Sequence, residues 1–562
     1  MNPAQFLAQF GAIADAPNGI QRLREMILQL AVQGKLVAQD ASDEPAAVLL
    51  EKIQAEKERL IREGTIKRQK PLPAMTEAEK PFALPEGWEW VRLGAIGYDW
   101  GQITPRSEFT YIDVSAINNQ KGVIESPSVV EATNAPSRAR KVVKLNTVIY
   151  STIRPYLLNV CVVEKEYTPQ AIASTAFAII HPFSGILSSY IRTYLRSPVF
   201  IRYVESIQTG VAYPAINDRQ FFSGLFPLAP EKEQTRIMQK VDSLLSLCDQ
   251  LEALQTQRAQ LQTTTNQALL EQLSNAPSPL DLQNAWQRLQ THLPKLFTQP
   301  EHIKGLRDAI LQLAVQGKLV PQDANDEPAA LLLEKIKAEK ERLVQAGKIK
   351  RQKPLPAITE AEKPFALPKG WEWVRLGDLT EVITSGSRDW AKYYSNQGAI
   401  FVRMGNLSRG HYQMRLDNIQ YIKPPEDGEG SRTKLEGDDV LISITGDVGM
   451  LGLVPKDFGE AYINQHTCLV RFVSSCRSRY FPEFFRSPLA TWQFNAPQRG
   501  IKNSFRLSDV GEILIPVPPE KAHKRIIKKI DSLMILCDQL ESHLKSARHT
   551  QEQFARAAVA LE

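Results

Sequence analysis

Four stretches of this 562-residue chain hold residue types that could suggest catalysis. Glu436, Asp438 and Asp439 could form the carboxylate cluster of a metal-dependent nuclease. No Glu-x-Lys follows them, and a solvated turn is the simpler expectation. Gly446-Asp-Val-Gly-Met-Leu-Gly452 is glycine-rich, but its spacing is wrong for a dinucleotide fingerprint, and it reads as a turn beside a strand. Lys423-Pro-Pro-Glu426 and Pro518-Pro-Glu-Lys521 lack both the amide and the aromatic of the Asn/Asp-Pro-Pro-Tyr/Phe tetrapeptide used in amino-methylation. There is no G-x-x-x-x-G-K-[ST] phosphate loop, and the eight histidines show no ligand spacing. Cys161, Cys248, Cys468, Cys476 and Cys537 form no C-x-x-C pair, which indicates neither a zinc site nor a disulfide framework. The pattern fits recognition better than catalysis.

The elements that would position recognising side chains come in duplicate. Leu23-Arg-Glu-Met-Ile-Leu-Gln-Leu-Ala-Val-Gln-Gly-Lys-Leu-Val37 recurs as Leu306–Val320, Lys70-Pro-Leu-Pro73 as Lys353–Pro356, and Gly87-Trp-Glu-Trp-Val-Arg-Leu-Gly94 as Gly370–Gly377. The offset is constant at 283, since Gly34 maps to Gly317 and Trp90 to Trp373. Such a period is far too long for a solenoid, so one structural unit is built twice. Identity stops after Gly94 and Gly377, and returns where Glu231–Glu252 recurs as Glu520–Glu541 at an offset of 289. Two unlike inserts therefore sit in a nearly fixed frame.

Apolar spacing makes residues 1–64 helical, through Phe6, Phe10 and Ile13 and then Leu23, Met26, Ile27, Leu30 and Ala31, with Gly34 as a helix C-cap. A second helix is expected over Ala46–Glu63, and the prolines of Lys70–Gly87 make that stretch an extended connector. Strand-like runs mark the inserts at Thr147–Ile153, Val160–Val163 and Phe177–His181, and at Ala399–Arg403, Asp439–Ile444 and Cys468–Phe472. Ser188–Ile207 reads as one helix. From Glu231 the seam Ile237, Val241, Leu244, Cys248, Leu251 predicts a helix to about Leu273, roughly 60 Å long. Ile526, Ile530, Leu533, Cys537, Leu540, Leu544 and Ala547 repeat the seam after Glu520. Cys248 and Cys537 share one heptad slot and read as core. A further helix is expected over Trp286–Leu296. Leu289, Leu293 and Leu296 match Phe6, Phe10 and Ile13, so the repeat begins near residue 3.

These elements divide the chain into residues 1–87 (helical region and connector), 88–230 (a first α+β domain), 231–369 (a central region with the long helix), 370–519 (a second α+β domain) and 520–562 (a closing helix). If the closing helix docks beside the first region, the fold has pseudo-two-fold symmetry with cyclically permuted repeats. The two long helices would then form an antiparallel coiled coil separating two α+β domains. Such a ruler suits a bipartite target on duplex DNA. Net charge is only +6, which permits a polyanion partner without demanding one. The longest apolar runs, such as Ala171–Ile180, are too short to span a bilayer, and Met1-Asn-Pro-Ala-Gln begins no signal peptide, so a cytoplasmic location is expected.

The frames Leu28–Val37 and Leu311–Val320, the frames Leu84–Gly94 and Leu367–Gly377, and the closing motif Pro-x-x-Pro-Glu-Lys-x-(Gln/His)-x-Arg-Ile together resemble the specificity subunit of type I restriction–modification enzymes. The resemblance spans essentially the whole chain. It implies that each insert is a target-recognition domain, and that the chain itself is non-catalytic and holds no cofactor. It also implies double-stranded DNA, two methyltransferase subunits and two motor-nuclease subunits as partners. S-adenosylmethionine, ATP and magnesium would reside in those partners, which would methylate adenine N6 and cut DNA. Base reading takes Arg, Asn, Gln, Lys, Ser or Thr at groove edges. Candidates in the first domain are Thr104, Arg106 and Ser107, then Ser151, Arg154 and Tyr156, then Thr209, Tyr213 and Asn217, with Arg138, Arg140 and Lys141 for phosphate. In the second they are Ser385, Ser387 and Arg388, then Arg403 and Asn406, Ser443 and Thr445, and Arg499, Lys502 and Asn503. Trp88, Trp90, Trp371 and Trp373 lie in identical frames and are expected to pack the domains against the scaffold. The competing readings are a self-contained DNA methyltransferase or nuclease, and a coiled-coil protein scaffold.

Overall fold

The structure is a computed structural model describing residues 10–68, 71–210, 212–386, 390–424, 430–496 and 504–560. It forms two compact units, residues 1–258 with 547–562 and residues 259–546.

In the first unit α1 (Gly19–Val32) buries Leu23, Met26, Ile27, Leu30 and Ala31, the residues of its apolar stripe. It ends at Gly34, whose φ is 66°. A Cβ there would meet Pro85 at 2.5 Å and the Trp88 ring at 3.0 Å, so the helix end and the connector close on each other only through glycine. After α2 (Ala46–Arg62) the proline-rich connector runs extended, apart from one turn at Glu77–Glu79 capped by Thr76. Strand Glu89–Arg92 then pairs antiparallel with Leu225–Leu228, Trp90 opposite Pro227. This ribbon brings the entry and exit of the first insert together.

The insert holds two four-stranded sheets. One runs Ser128–Val130, Phe109–Ile112, Ala171–Ser174, Ala139–Val142; the other runs Gly97–Tyr98, Phe177–Pro182, Val148–Ser151, Val160–Val162. The single helix expected over Ser188–Ile207 is two, α3 (Ser188–Leu195) and α4 (Pro198–Ile207). Pro198 lacks an amide hydrogen and opens the second helix, and the Ser197 side chain accepts from the Phe200 amide. Tyr190 and Tyr194 of α3 donate to the Pro227 and Leu225 carbonyls, which ties the helix to the basal ribbon. α5 (Asp218–Ser223) precedes the ribbon's second strand, and α6 (Glu231–Ser274) follows it.

The second unit rebuilds this plan with α7 (Pro279–Leu296), α8 (Ile303–Val315), α9 (Ala329–Gln345), α10 (Tyr480–Phe485), α11 (Pro488–Asn495), α12 (Leu507–Gly511) and α13 (Glu520–Ala560). α7 starts ahead of the expected Trp286, because the Ser278 side chain accepts from the Asp281 amide and Pro279 takes the first helical position. Glu372–Arg375 pairs with Leu514–Val517 as the basal ribbon. The second insert again has two four-stranded sheets. In each insert one sheet contains a parallel pair, Phe109–Ile112 with Ala171–Ser174 and Ala399–Val402 with Ala461–Ile463. The other is antiparallel, its inner strands being Phe177–Pro182 and Val148–Ser151, or Thr467–Phe472 and Val440–Ser443. Two unlike sequences thus share the antiparallel sheet and the parallel pair, while the mixed sheets differ at their edges, where Ala139–Val142 flanks the pair in the first insert and Tyr394–Ser395 extends the sheet beyond Gln420–Ile422 in the second.

The frame contacts repeat with the sequence. Arg24 binds Asp249 and Glu252 at 2.6 and 2.7 Å, and Arg307 binds Asp538 and Glu541. Arg236 pairs with Asp43, and Arg525 with Asp326. Buried Arg92 reaches the carbonyls of Pro73, Ala74 and Ser223 and the Glu79 carboxylate; Arg375 does the same with Pro356, Ala357, Glu512 and Glu362. The tryptophans pack as expected. Trp90 and Trp373 donate to the Phe82 and Phe365 carbonyls, and Trp88 donates to Glu233 on α6. Ala522 stands where the first copy has Glu233, and there Trp371 donates to Gln322 instead.

Residues 547–560 of α13 cluster with the first unit. Arg22 of α1 donates to the Glu552 carbonyl at 3.1 Å, and Ala555 is fully buried in the same core as Ile13. The closing helix therefore docks beside the first region, as cyclic permutation requires. The apolar seam is buried at Ile237, Val241, Leu244 and Cys248, and at Ile526, Ile530 and Cys537. Leu254 and Leu261, which lie off the seam, are exposed, and so is Ala547, which the heptad spacing places inside. All five cysteines are buried and unpaired, which fits a packing role.

Candidate nucleic-acid interface

Strand order brings five segments of the first insert to one end. The Ile103 amide donates to the Arg140 carbonyl at 2.9 Å, and Gln102 bridges Lys141. The segment carrying exposed Thr104, Arg106 and Ser107 is thereby joined to Arg138–Lys141. The Thr175 amide donates to the Arg138 carbonyl and the Thr152 amide to the Ala176 carbonyl, both at 2.8 Å. Ile153 bridges Ala215, and the Arg154 amide donates to the Pro214 carbonyl at 2.8 Å. Residues 151–156 are so bound to residues 209–217. Arg106 and Arg138 are exposed and Arg154 is half-buried, and none of the three has an ion-pair partner among the described residues.

Several candidates do not belong on this face. Ser151 is 1% exposed and donates to the Ile153 carbonyl. Ser443 is 0% exposed, donates to the Asp447 carbonyl and accepts from the Met450 amide. Asn406, also buried, accepts from the Arg403 amide and donates to the Arg415 and Asn418 carbonyls. Lys141 is buried against Asp218 at 3.0 Å, so its charge is spent inside the domain. Each of these groups holds the loop that carries its neighbours; a buried polar atom already paired cannot meet a base without breaking that pair. Asn217 is exposed but caps α5 through the Gln220 amide, and half-buried Arg140 donates to its neighbour's carbonyl. Tyr156, Thr209 and Tyr213 remain exposed.

The second insert is stitched in the same register. The Gly386 amide donates to the Asn464 carbonyl, the Ile444 amide to the His466 carbonyl, and the Phe505 amide to the Ile444 carbonyl, while Thr445 bridges Ser504. Half-buried Ser385 and Thr445 reach this end, with Thr445 Oγ1 2.7 Å from His466 Nδ1. Arg403 begins the loop after its strand, and the Asn464 amide bonds the Val402 carbonyl beside it. Ser387, Arg388, Arg499, Lys502 and Asn503 lie outside the described residues. Thr175 and the Gln465-His466 pair, in the turns joining the two sheets, were not anticipated from sequence. A short polar turn between apolar strands was the one available signal.

The carboxylates that could have suggested a nuclease do flank a turn at Gly437-Asp438, with Glu436 exposed and Asp438 half-buried, but Asp439 is turned inward. Asp439 is 1% exposed and takes two hydrogen bonds from Arg471, which also binds Glu436 at 2.7 Å. The glycines at Gly446 and Gly449 form a left-handed turn beside Val440–Ser443, as the spacing suggested. Among the described residues no group of three or more His, Cys, Asp or Glu is placed to hold a metal ion, and no helix is long and apolar enough to cross a membrane.

One pair of positions links the inserts in detail. The hydrogen bonds that equate Thr152 with Ile444, and the bridges that equate Ile153 with Thr445, also equate Arg154 with Gly446. Both are left-handed, with φ of 49° and 71°. Glycine adopts that backbone freely, whereas a side chain there costs about 1–2 kcal/mol.

A duplicated frame holding two polar-ended α+β domains defines a class of two-headed recognition proteins. A family model for the type I restriction modification DNA specificity domain matches residues 368–547. The EcoAI specificity subunit of Escherichia coli is 34% identical over 96% of this chain and 93% of its own length, and the EcoEI specificity subunit of the same organism is 32% identical over the same shares. The crystal structure of an HsdS subunit from Thermoanaerobacter tengcongensis aligns at 22% identity over 86% of this chain and 98% of its own, with a TM-score of 0.46. The chain belongs to the family of type I restriction enzyme specificity subunits. Membership makes it the subunit that supplies DNA specificity, and not one that carries out the chemistry.

Proposed function

We propose that each insert reads one half of a bipartite duplex DNA target and that the long helices set the spacing between the halves. The observation carrying this is the pair of inserts unlike in sequence, built on the same antiparallel sheet and parallel pair, and closed onto the same frame by matching basal ribbons. The frame largely repeats while the inserts diverge, so discrimination between bases belongs to the inserts and geometry to the frame. Arg106, Arg138, Arg154, Thr104, Ser107, Thr175, Tyr156, Thr209 and Tyr213 form the reading face of the first domain. Ser385, Arg403, Thr445 and the Gln465-His466 turn form that of the second.

The frame surfaces around α1 and α8 each offer a docking site, giving two methyltransferase and two motor-nuclease subunits per chain. S-adenosylmethionine, ATP and magnesium belong to those partners, and the complex works in the cytoplasm. The test is to assemble the chain with its methyltransferase subunits and sequence the adenines methylated on random duplexes. A two-part motif with a fixed unread spacer is expected, together with binding that weakens steeply as salt rises. Methylation or cleavage by the purified chain alone would overturn the reading in favour of a self-contained enzyme. Equal binding to every sequence would overturn it in favour of a scaffold.

A further inference from the structure

Arg154 is a costly choice for its position. The equivalent residue of the second insert, Gly446, adopts the same left-handed backbone without penalty. A chain that needed only the turn would have glycine at both places. The first insert keeps a long cationic side chain there, and the surroundings fix it. Its guanidinium carbon lies 4.6 Å from the centre of the Tyr213 ring. Tyr213 is itself 69% exposed, at the tip of a loop closed by reciprocal hydrogen bonds between Thr209 and Ala215. Gly210 lets that loop pinch, since a Cβ there would meet the Tyr213 carbonyl oxygen at 2.8 Å. The Arg154 amide is tied to the Pro214 carbonyl at 2.8 Å. No hydrogen bond or ion pair among the described residues occupies the guanidinium.

We infer that Arg154 reads a guanine in the major groove, with Tyr213 as the residue that positions it. A flat guanidinium stacked on a ring keeps its outer fork of N–H donors free and restricts their direction. That fork matches the O6 and N7 acceptors of guanine, the pairing by which arginine most often specifies a base. Phosphate would be served as well by a flexible lysine and would not require strain in the backbone. The inference rests on the proposed reading of the first insert as a half-site reader and adds the base and the group that specifies it.

The experiment uses the full chain assembled with its methyltransferase subunits, with duplex libraries randomised across both half-sites. Wild type should select a G·C pair at one position of one half-site. Arg154→Gly should lower discrimination at that base pair about tenfold or more. All other positions should stay unchanged, and the unfolding midpoint should not fall, because the same backbone already carries glycine at Gly446. Arg154→Lys should fail to restore the preference. Tyr213→Phe should keep it, and Tyr213→Leu should weaken it at that base pair alone. A uniform loss of affinity on all sequences, with a salt dependence reduced by about one counterion, would assign Arg154 to phosphate and overturn the inference. So would an unchanged selection in Arg154→Gly. A wild-type complex that selects no two-part motif would instead overturn the underlying reading of the insert.

Discussion

Arg92 and Arg375 show why the joins between inserts and frame could be seen in the sequence while the reading groups could not. Each arginine sits in an identical stretch, and each satisfies carbonyls from the connector and from the far end of its insert. Arg92→Ala would strand several buried acceptors and should cost about 3 kcal/mol, and Arg92→Lys should not rescue it, because one ammonium cannot reach acceptors spread around a planar fork. Urea midpoints of the two variants check this. The hydrogen bond from Arg92 holds the Glu79 carboxyl at about 2, below its usual 4.5. A depressed carboxylate lends stability above its unfolded value and loses it as pH falls from about 4.5 towards 2, so the connector at residues 71–85 should become open to proteolysis in that window. Glu79→Gln should remove that part of the acid response, and an unaltered profile would refute the assignment. Reading groups were harder to name. Ser151, Ser443 and Asn406 have the right chemistry and the right loops, but burial turns them inward. Thr175 was missed because only the pairing of strands distant in sequence brings it to the face.

At the scale of elements, periodicity located the helices. The sheets were less legible, because the register joining Phe109–Ile112 to Ala171–Ser174 depends on pairing across about sixty residues. Helix ends were set by caps that a spacing argument passes over. Ser197 with Pro198 divides one expected helix, and Ser278 with Pro279 lengthens another. Gly34 and Gly64 both end helices with positive φ, at 66° and 70°, but they differ in what surrounds them. Beyond Gly64 there is open space, whereas Gly34 is pressed against Pro85 and Trp88. Gly64→Ala should therefore cost only the backbone penalty, about 1 kcal/mol. Gly34→Ala adds overpacking and should cost about 2–4 kcal/mol. Thermal unfolding of the two variants compares them, and equal shifts would mean that the connector is not clamped on α1.

For the whole molecule, the matching basal ribbons predict that the two inserts can be exchanged within the frame. The hybrid should methylate the same two-part site as the parent, because exchange across a pseudo-two-fold axis amounts to turning the molecule over on the duplex, and sequencing of modified DNA would show a changed motif if the two positions in the frame were not equivalent. The stretches Gln255–Gln262 and Leu544–Gln551 are mostly exposed, so one heptad added to each should be tolerated. Seven residues lengthen a helix by about 10 Å, enough for a spacer about three base pairs longer. An unchanged spacer would refute the role of the helices as a ruler. The docking of residues 547–560 into the first unit also dictates an order of events during synthesis. Arg22 and its acceptor Glu552 are 530 residues apart, about 25–100 s of translation. The unit made of residues 259–546 is continuous in the chain and can complete its core first. The apolar stripe of α1 meanwhile lacks Ala555 and the rest of its closing helix. On the ribosome the half begun earliest is finished last, and in that interval it is the half that most needs a chaperone.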